Sequence, residues 1–386
     1  MMQNNLENRM RKMKKDVIER LESINIQTTK ASSWKRIDTE RYLDADKDFD
    51  YDIEITKKGK LIIAPGVKLS FDNQCGLTCH GQLIAEGNTN KLITFTGNNW
   101  KNMRFMNDAD RSVMDYCVIE KGTGNTGYVK NKSGSNTSRK DTGGGIAICH
   151  AIVDIANCKI ANNSARIGGG IAMYQSEINF QNNIVTKNNA ELKFSMVTGG
   201  GIYIESCSGT MRNNKIIENN SAYNGGGSGG GIEIHDSTFN LENNIVRKNY
   251  SETGGGIYVG TSIIYANGNT IEYNDAKFAT NRINVELHFL AIGGGIYARE
   301  SEIYGDKNFI AHNKAGQGGG MYMEESKFIG TKNMVQFNST YSAEPYDDVV
   351  SGEPVPRKGG IFMREAEKGY TKASYNDCIE RDNYPR

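Results

Sequence analysis

The chain has 386 residues, with 46 Lys and Arg against 45 Asp and Glu. That balance, at a mean hydropathy of −0.57, excludes a global basic surface for nucleic acid or anionic membrane. No apolar run approaches the roughly 18 residues of a membrane span, and seven cysteines, an odd number without paired spacing, argue against a disulfide framework.

The first segment with a pattern is 4–26. Leu6, Met10, Met13, Val17, Leu21 and Ile24 recur at spacings of four and three among Lys and Arg. The spacing predicts an amphipathic helix within a unit spanning 1–30. Three roles fit it: a cap on the open end of the following domain, an oligomerisation helix, and a basic membrane-surface anchor. Positive charge here is not followed by an apolar stretch, so no secretory signal is expected. The expected location is therefore cytoplasmic, or outside the cell by a route without a cleaved signal.

From 44 to 55, Asp44, Asp46, Asp48, Asp50, Asp52 and Glu54 alternate with Phe49, Tyr51, Ile53 and Ile55. The first three aspartates imitate a calcium loop. Phe49 stands where its turn glycine belongs and Ile55 where its last Glu belongs. An amphipathic opening strand with one acidic face is the better reading, with weak calcium binding as the alternative. Cys75, Cys79 and His80 have no second ligand pair, so no metal site is expected there. Between 59 and 121, β-branched runs punctuated by Gly and Pro read as short strands.

A glycine phrase then returns: GGGIAI at Gly143, GGGIAM at Gly168, GGGIYI at Gly199, GGGIEI at Gly229, GGGIYV at Gly254, GGGIYA at Gly293 and GGGMYM at Gly318, with a worn copy from Lys358. The shortest interval is 25 residues, and fixed self-similarity at that period marks a solenoid. Fifteen positions after each first glycine stand Cys158, Asn183, Asn214, Asn244, Asn269, Asn308 and Asn333. Five further on stand Asn163, Asn188, Asn219, Asn249, Asn274, Asn313 and Asn338. Apolar residues at offsets three and five, at ten, and two past the first Asn give three short strands. Joined by tight bends, they make one coil of a β-helix. Glycine supplies positive φ and close backbone approach, and Asn tolerates left-handed turns and bonds nearby backbone. Stacked about 4.8 Å apart, the Asn columns and the Ser176, Ser237, Ser262, Ser301 and Ser326 column predict hydrogen-bonded ladders. About ten coils are expected.

The GGGI phrase with its paired Asn resembles the right-handed parallel β-helix repeat proteins. It is similar in particular to the glycine- and asparagine-rich repeats of polymorphic outer-membrane proteins and adhesins. The resemblance spans roughly 55–383 and implies an all-β, right-handed parallel β-helix, here set as a domain over 31–386. Those surface proteins carry secretion signals and often a C-terminal membrane barrel, neither of which is seen in this sequence.

From the second Asn to the next glycine phrase the shortest step is five positions. It becomes 11 after Asn188, 10 after Asn219, 19 after Asn274 and 20 after Asn338. The extra residues are predicted to enter at one corner and pile up along one edge, where insertions often build a binding surface. The outward residue of the phrase is Tyr203, Glu233, Tyr258, Tyr297 or Tyr322. This column reads either as a ligand-binding face that stacks on sugar rings or as cross-coil packing. Asp347 and Asp348, beside Tyr346 in the last long insertion, are the weak catalytic candidates. They read more simply as solvated carboxylates, and His235, Asp236 and His312 as surface decoration.

The reading that follows is a non-catalytic binding or scaffold solenoid that recognises a polysaccharide or a protein partner along its loop edge and tyrosine face, without nucleic acid, metal or membrane span. The alternatives are a polysaccharide lyase or glycoside hydrolase, with its site near 275–292 and 339–357, and a structural fibre or spike element that forms homo-oligomers through residues 4–26.

Overall fold

A computed structural model describes residues 34–106, 111–124, 142–191, 197–221, 226–277, 291–341, 358–364 and 379–384, together with the backbone of short strands at 129–130, 136–137, 346–347, 354–355 and 372–376. The expected helix at 4–26 lies outside the described residues, as does any contact it makes.

Three parallel sheets of twelve strands each carry the domain. Sheet A runs from Arg36–Ile37 to Ile361–Arg364, sheet B from Glu40–Leu43 to Lys372–Asn376, and sheet C from Lys47–Phe49 to Ile379–Arg381. Each coil gives one strand to each sheet, for example Ile146–Cys149, Ile152–Ala156 and Lys159–Ala161. The register is in step with the repeat: Ile146 pairs with Ile171, Ile155 with Phe180 and Ile160 with Val185. Inward residues of the three sheets meet in one buried column along the axis. At its early end Phe49, Phe71 and Trp100 stack at 5.3 and 5.2 Å. The coil count is twelve rather than about ten, because the opening coils carry no glycine phrase by which to count them.

The asparagine columns form ladders. Asn249 Oδ1 accepts from the backbone N–H of Asn219 (2.9 Å) and from its Nδ2 (3.0 Å). Its own Nδ2 donates to the Ile216 carbonyl at 2.9 Å and to Asn274 Oδ1 at 3.0 Å. Every polar atom of the Asn249 amide is thus used, as a dry interior demands. A left-handed residue precedes each rung: Asn243 (φ 53) before Asn244, Lys248 (φ 53) before Asn249 and Asp236 (φ 46) before Ser237. So one residue makes the turn and the next makes the ladder. Cysteines stand in as rungs. The N–H of Cys117 donates to Cys158 Sγ at 3.4 Å, and that of Ser176 to Cys207 Sγ, also at 3.4 Å.

The three glycines have separate tasks. Gly229 turns at φ 57. A Cβ on Gly230 would meet the carbonyls of Gly255 and Tyr250, the latter at 2.5 Å. One on Gly231 would lie 2.6 Å from the Gly256 carbonyl and 2.9 Å from Asn249 Nδ2. Adjacent coils approach too closely there for any side chain.

Two expectations are corrected. The alternating acidic stretch is not one strand: Lys47–Phe49 ends the first coil in sheet C, and Ile53–Ile55 opens the second in sheet A. Its aspartates secure the following coils instead. Asp46 Oδ1 accepts the Lys68 N–H at 2.8 Å, Asp52 Oδ1 accepts the Gly76 N–H at 3.0 Å, and Asp52 pairs with Lys101 at 2.8 Å. Nor do all extra residues enter at one corner. The long insertions do follow the short fourth-side strands such as Asp275–Ala276 and Ser339–Thr340. However, 107–111 and 365–371 both lie between a sheet A strand and its sheet B successor. In five of the seven full glycine-phrase coils a serine rung, and in a sixth Cys207, stands at a corner of only two residues, as with Gln175 and Ser176. The coils that carry these two insertions lie outside the described serine ladder.

Candidate functional site

The tyrosine column is where the register predicts it. Tyr203 pairs with Glu233, Glu233 with Tyr258, Tyr258 with Tyr297, and Tyr297 with Tyr322. It is not an exposed stacking face. Tyr203, Glu233, Tyr297 and Tyr322 are buried, and Tyr258 is half-buried. The glycine turn folds back against the column: a Cβ on Gly199 would lie 2.8 Å from that of Tyr203, and one on Gly293 2.8 Å from that of Tyr297. The rings also cover one another. Tyr203, His235, Tyr258, Tyr297, Tyr322 and Phe362 follow at centroid separations of 4.9 to 5.9 Å.

Polar partners are built into this ladder. Tyr203 donates to Glu205 and Tyr297 to Glu324, each at 2.8 Å. Burial raises the pKa of both phenols, and their carboxylate partners raise it further. Burial, with the Glu233 charge, pushes Tyr258 up to about 12. Glu233 Oε2 accepts from the Gly199 N–H at 3.0 Å and the Ser228 hydroxyl at 2.7 Å, and Oε1 takes His235 Nε2 at 2.7 Å. His235 is therefore not surface decoration. The signal was available, because Glu and His two apart on one strand share a face.

Burial lowers the His235 pKa, but the hydrogen bond and charge of Glu233, with Glu205 and Asp236, outweigh it and leave the pKa raised. A raised folded value stabilises the protein fully below the ordinary histidine pKa of about 6.5. That contribution is lost as pH rises through the folded value. The stability difference between wild type and His235→Gln is thus expected to shrink from mildly acidic to mildly alkaline pH, as read by urea melts across that range.

One accessible aromatic surface lies on sheet B; another, Tyr273, His312 and Phe337 stacked at 4.7 and 5.1 Å, follows the strands of sheet C. Tyr265, Tyr304 and Ile329 share a column, with the two rings 5.5 Å apart and inclined by 20°. Tyr265 is 43% exposed and Ile329 37%. The neighbouring outward column is polar: Asn267, Asp306 and Thr331. Between the columns the inward positions Gly305 and Gly330 line the depression with backbone, and it measures about 410 Å³. Asp306 Oδ1 accepts the Thr331 N–H at 2.6 Å and its hydroxyl at 3.0 Å, and Asn267 Oδ1 accepts the Asp306 N–H at 3.1 Å. At the rim, Tyr304 donates to Glu302 at 2.6 Å, and Glu302 pairs with Lys327 at 2.7 Å.

A third cluster sits at the loop edge, next to the insertions that follow Asn274 and Asn338. Tyr341 is hydrogen-bonded to Asp275, and Lys314 Nζ and Lys277 Nζ lie 4.4 and 5.6 Å from the Tyr341 ring centre. Burial holds the Asp275 carboxyl above the usual range, against the lowering effects of Tyr341, Lys314 and Lys277. Asp347 belongs to a short antiparallel strand pair, Tyr346–Asp347 with Pro354–Val355. Its side chain, and all of Asp348, lie outside the described residues. Among the described residues no group of three or more His, Cys, Asp or Glu converges on a metal position.

Residues 135–271 match the family model of the right handed beta helix region. The fold is a right-handed parallel β-helix. The β-helix resembles several solved structures at 11% identity. One is a mutant periplasmic alginate epimerase (TM-score 0.39, 92% of this chain and 81% of that chain covered). Another is a mannuronic acid specific polysaccharide family 6 lyase from human gut microbiota (TM-score 0.25, 88% and 86%). A third is a hyper-glycosylated TibA fragment (TM-score 0.19, 89% and 96%). No curated protein sequence matches the β-helix.

Proposed function

We propose that this β-helix binds a polysaccharide along the outer face of sheet B, in the depression between Tyr265, Tyr304 and Ile329 on one wall and Asn267, Asp306 and Thr331 on the other. The observation that carries the reading is the two-walled groove itself. A sugar ring offers apolar C–H faces and a rim of hydroxyls, and the groove offers an aromatic wall and a wall of amide, carboxylate and hydroxyl groups. Flat sheet faces extend the contact along the rod, which suits a polymer better than a small molecule.

Affinity electrophoresis through gels containing neutral and acidic polysaccharides tests this. The wild type is expected to be retarded in at least one gel. Tyr304→Ala is expected to weaken retention about tenfold, in line with about 1.4 kcal/mol for a stacking contact. Free migration in every gel sinks the proposal. A second reading rests on Asp275, Tyr341, Lys277 and Lys314, an acid–base cluster next in the chain to two long insertions. It makes the protein a polysaccharide-degrading enzyme. A cleared zone in the retaining gel, lost in Asp275→Asn, supports that reading. An intact gel after long incubation rejects it.

A further inference from the structure

The outer face of sheet C changes character toward the late coils. Its first outward row reads Lys159, Ile184, Lys215 and Ile245 through the middle coils, so lysine alternates with isoleucine. Beyond Ile245 the row reads Thr270, Phe309, Met334 and Ile379, without a charge. The turn row that follows sheet C changes on the same coils. Lys187, Glu218 and Lys248 give way to Tyr273, His312 and Phe337, all three exposed and all left-handed at φ 55 to 56. That conformation is uncommon for a bulky side chain, and Asn162, Lys187 and Glu218 make the same turn on other coils. The turn therefore does not call for rings. Their planes lie within 5° and 11° of parallel, and Arg247 covers the other face of Tyr273 at 5.0 Å, so ring edges line the surface. Between the two rows stand Ala311 and Gln336, both uncharged.

We propose that this patch binds a short acidic peptide segment of a protein partner, with apolar side chains seated on the two rows and Asp or Glu toward the rim. Size and charge select this occupant. From Ile245 to Ile379 the patch spans four rungs, roughly 19 Å, and it is about 10 Å across. That is far below the roughly 800 Å² each partner gives to a stable domain interface, but it matches about six residues of extended chain. At the rim Lys248, Lys307 and Lys332 are exposed and have no side-chain partner among the described residues. Lys307 and Lys332 stand two residues before Phe309 and Met334. The carboxylates nearby are engaged: Glu272 with Arg247 at 3.4 Å, Asp382 with Arg381 at 3.7 Å, and Asp306 with the Thr331 N–H and hydroxyl. The uncompensated charge around the patch is thus positive. An apolar centre within a basic rim favours an acidic partner and steers its encounter. The chain's own segment 4–26 fits less well, because its Lys and Arg outnumber its Asp and Glu. The proposal does not depend on the groove on sheet B.

The test selects a displayed library of random peptides on the immobilised full chain and measures the recovered peptides by fluorescence anisotropy. They are expected to carry aromatic or branched apolar residues flanked by Asp and Glu, and to bind more weakly as salt rises. Phe337→Asn removes a ring and keeps a residue that suits the left-handed turn, so its thermal unfolding is expected to match wild type. Its affinity for the peptides is expected to fall at least about fivefold. The double variant Lys307→Glu with Lys332→Glu reverses the rim charge and is expected to lose at least as much. Should Phe337→Asn unfold, the lysine variant alone decides. No recovered peptide, recovered peptides that are basic, or undiminished binding in either folded variant would overturn the proposal. So would concentration-dependent self-association of the wild type that Phe337→Asn abolishes, which assigns the patch to a second copy. Loss of polysaccharide retention in Phe337→Asn would assign it to the polymer instead and equally end the proposal.

Discussion

Asn249→Ala is expected to destabilise the rod by about 3–5 kcal/mol. The substitution removes the acceptor of two Asn219 donors and the donor to Ile216 O and Asn274 Oδ1. All of these groups lie in a closed interior, where each unmatched one costs about 1–3 kcal/mol. Because each coil contacts only its neighbours, the damage is expected to be local. Amide exchange at Asn219 and Tyr250 should accelerate, while exchange around Leu61 stays slow. Asn240→Ala on the exposed face of sheet B, whose one side-chain bond is a 3.5 Å contact to Thr210, is the control. It is expected to stay within about 0.5 kcal/mol of wild type. Equal effects from the two substitutions would mean that the ladder contributes nothing beyond the sheet.

Gly230→Ala and Gly260→Ala make the same chemical change and are expected to part by about 3 kcal/mol. At Gly230 the new methyl meets two backbone carbonyls, those of Gly255 and Tyr250. Neither can rotate away, so two coils must separate and strain the hydrogen bonds between them. At Gly260 the methyl meets the ends of His235 and Tyr258, which can turn aside. Urea denaturation of the two variants side by side measures the difference. If Gly230→Ala matches wild type, the triple glycine is not set by the approach of the coils.

These cases show what was legible in the sequence. The glycine phrase, the paired asparagines and the serines declare a 25-residue coil with three strands, because each residue type has one physical task repeated at fixed spacing. The opening coils were harder to count, since alternation of Leu, Ile and Phe around residues 53–71 fixes strands but not how many turns they make. Periodicity also gives a side chain's direction without its cover. Tyr203 and Tyr297 do point away from the axis, yet the glycine turn lies over them, a contact between backbone and side chain that composition does not encode. The exposed pair was within reach. Tyr265, Tyr304 and Ile329 all stand eleven positions after a first glycine, next to the inward residues Ile264, Ile303 and Phe328. The Glu233–His235 pair was readable in the same way, from their two-residue spacing. What remained beyond reach was the crowding at Gly260, where the His235 ring of the preceding coil leans over a position without a side chain.

The proposed polysaccharide contact is tested most directly by covalent tyrosine footprinting in the presence of whichever polysaccharide retains the protein. Tyr265 and Tyr304 are expected to become protected, while Tyr42 and Tyr273, exposed at 51% and 44%, keep their reactivity. Protection confined to other tyrosines, or none at Tyr265 and Tyr304 under saturating polymer, would contradict the assignment of the groove on sheet B.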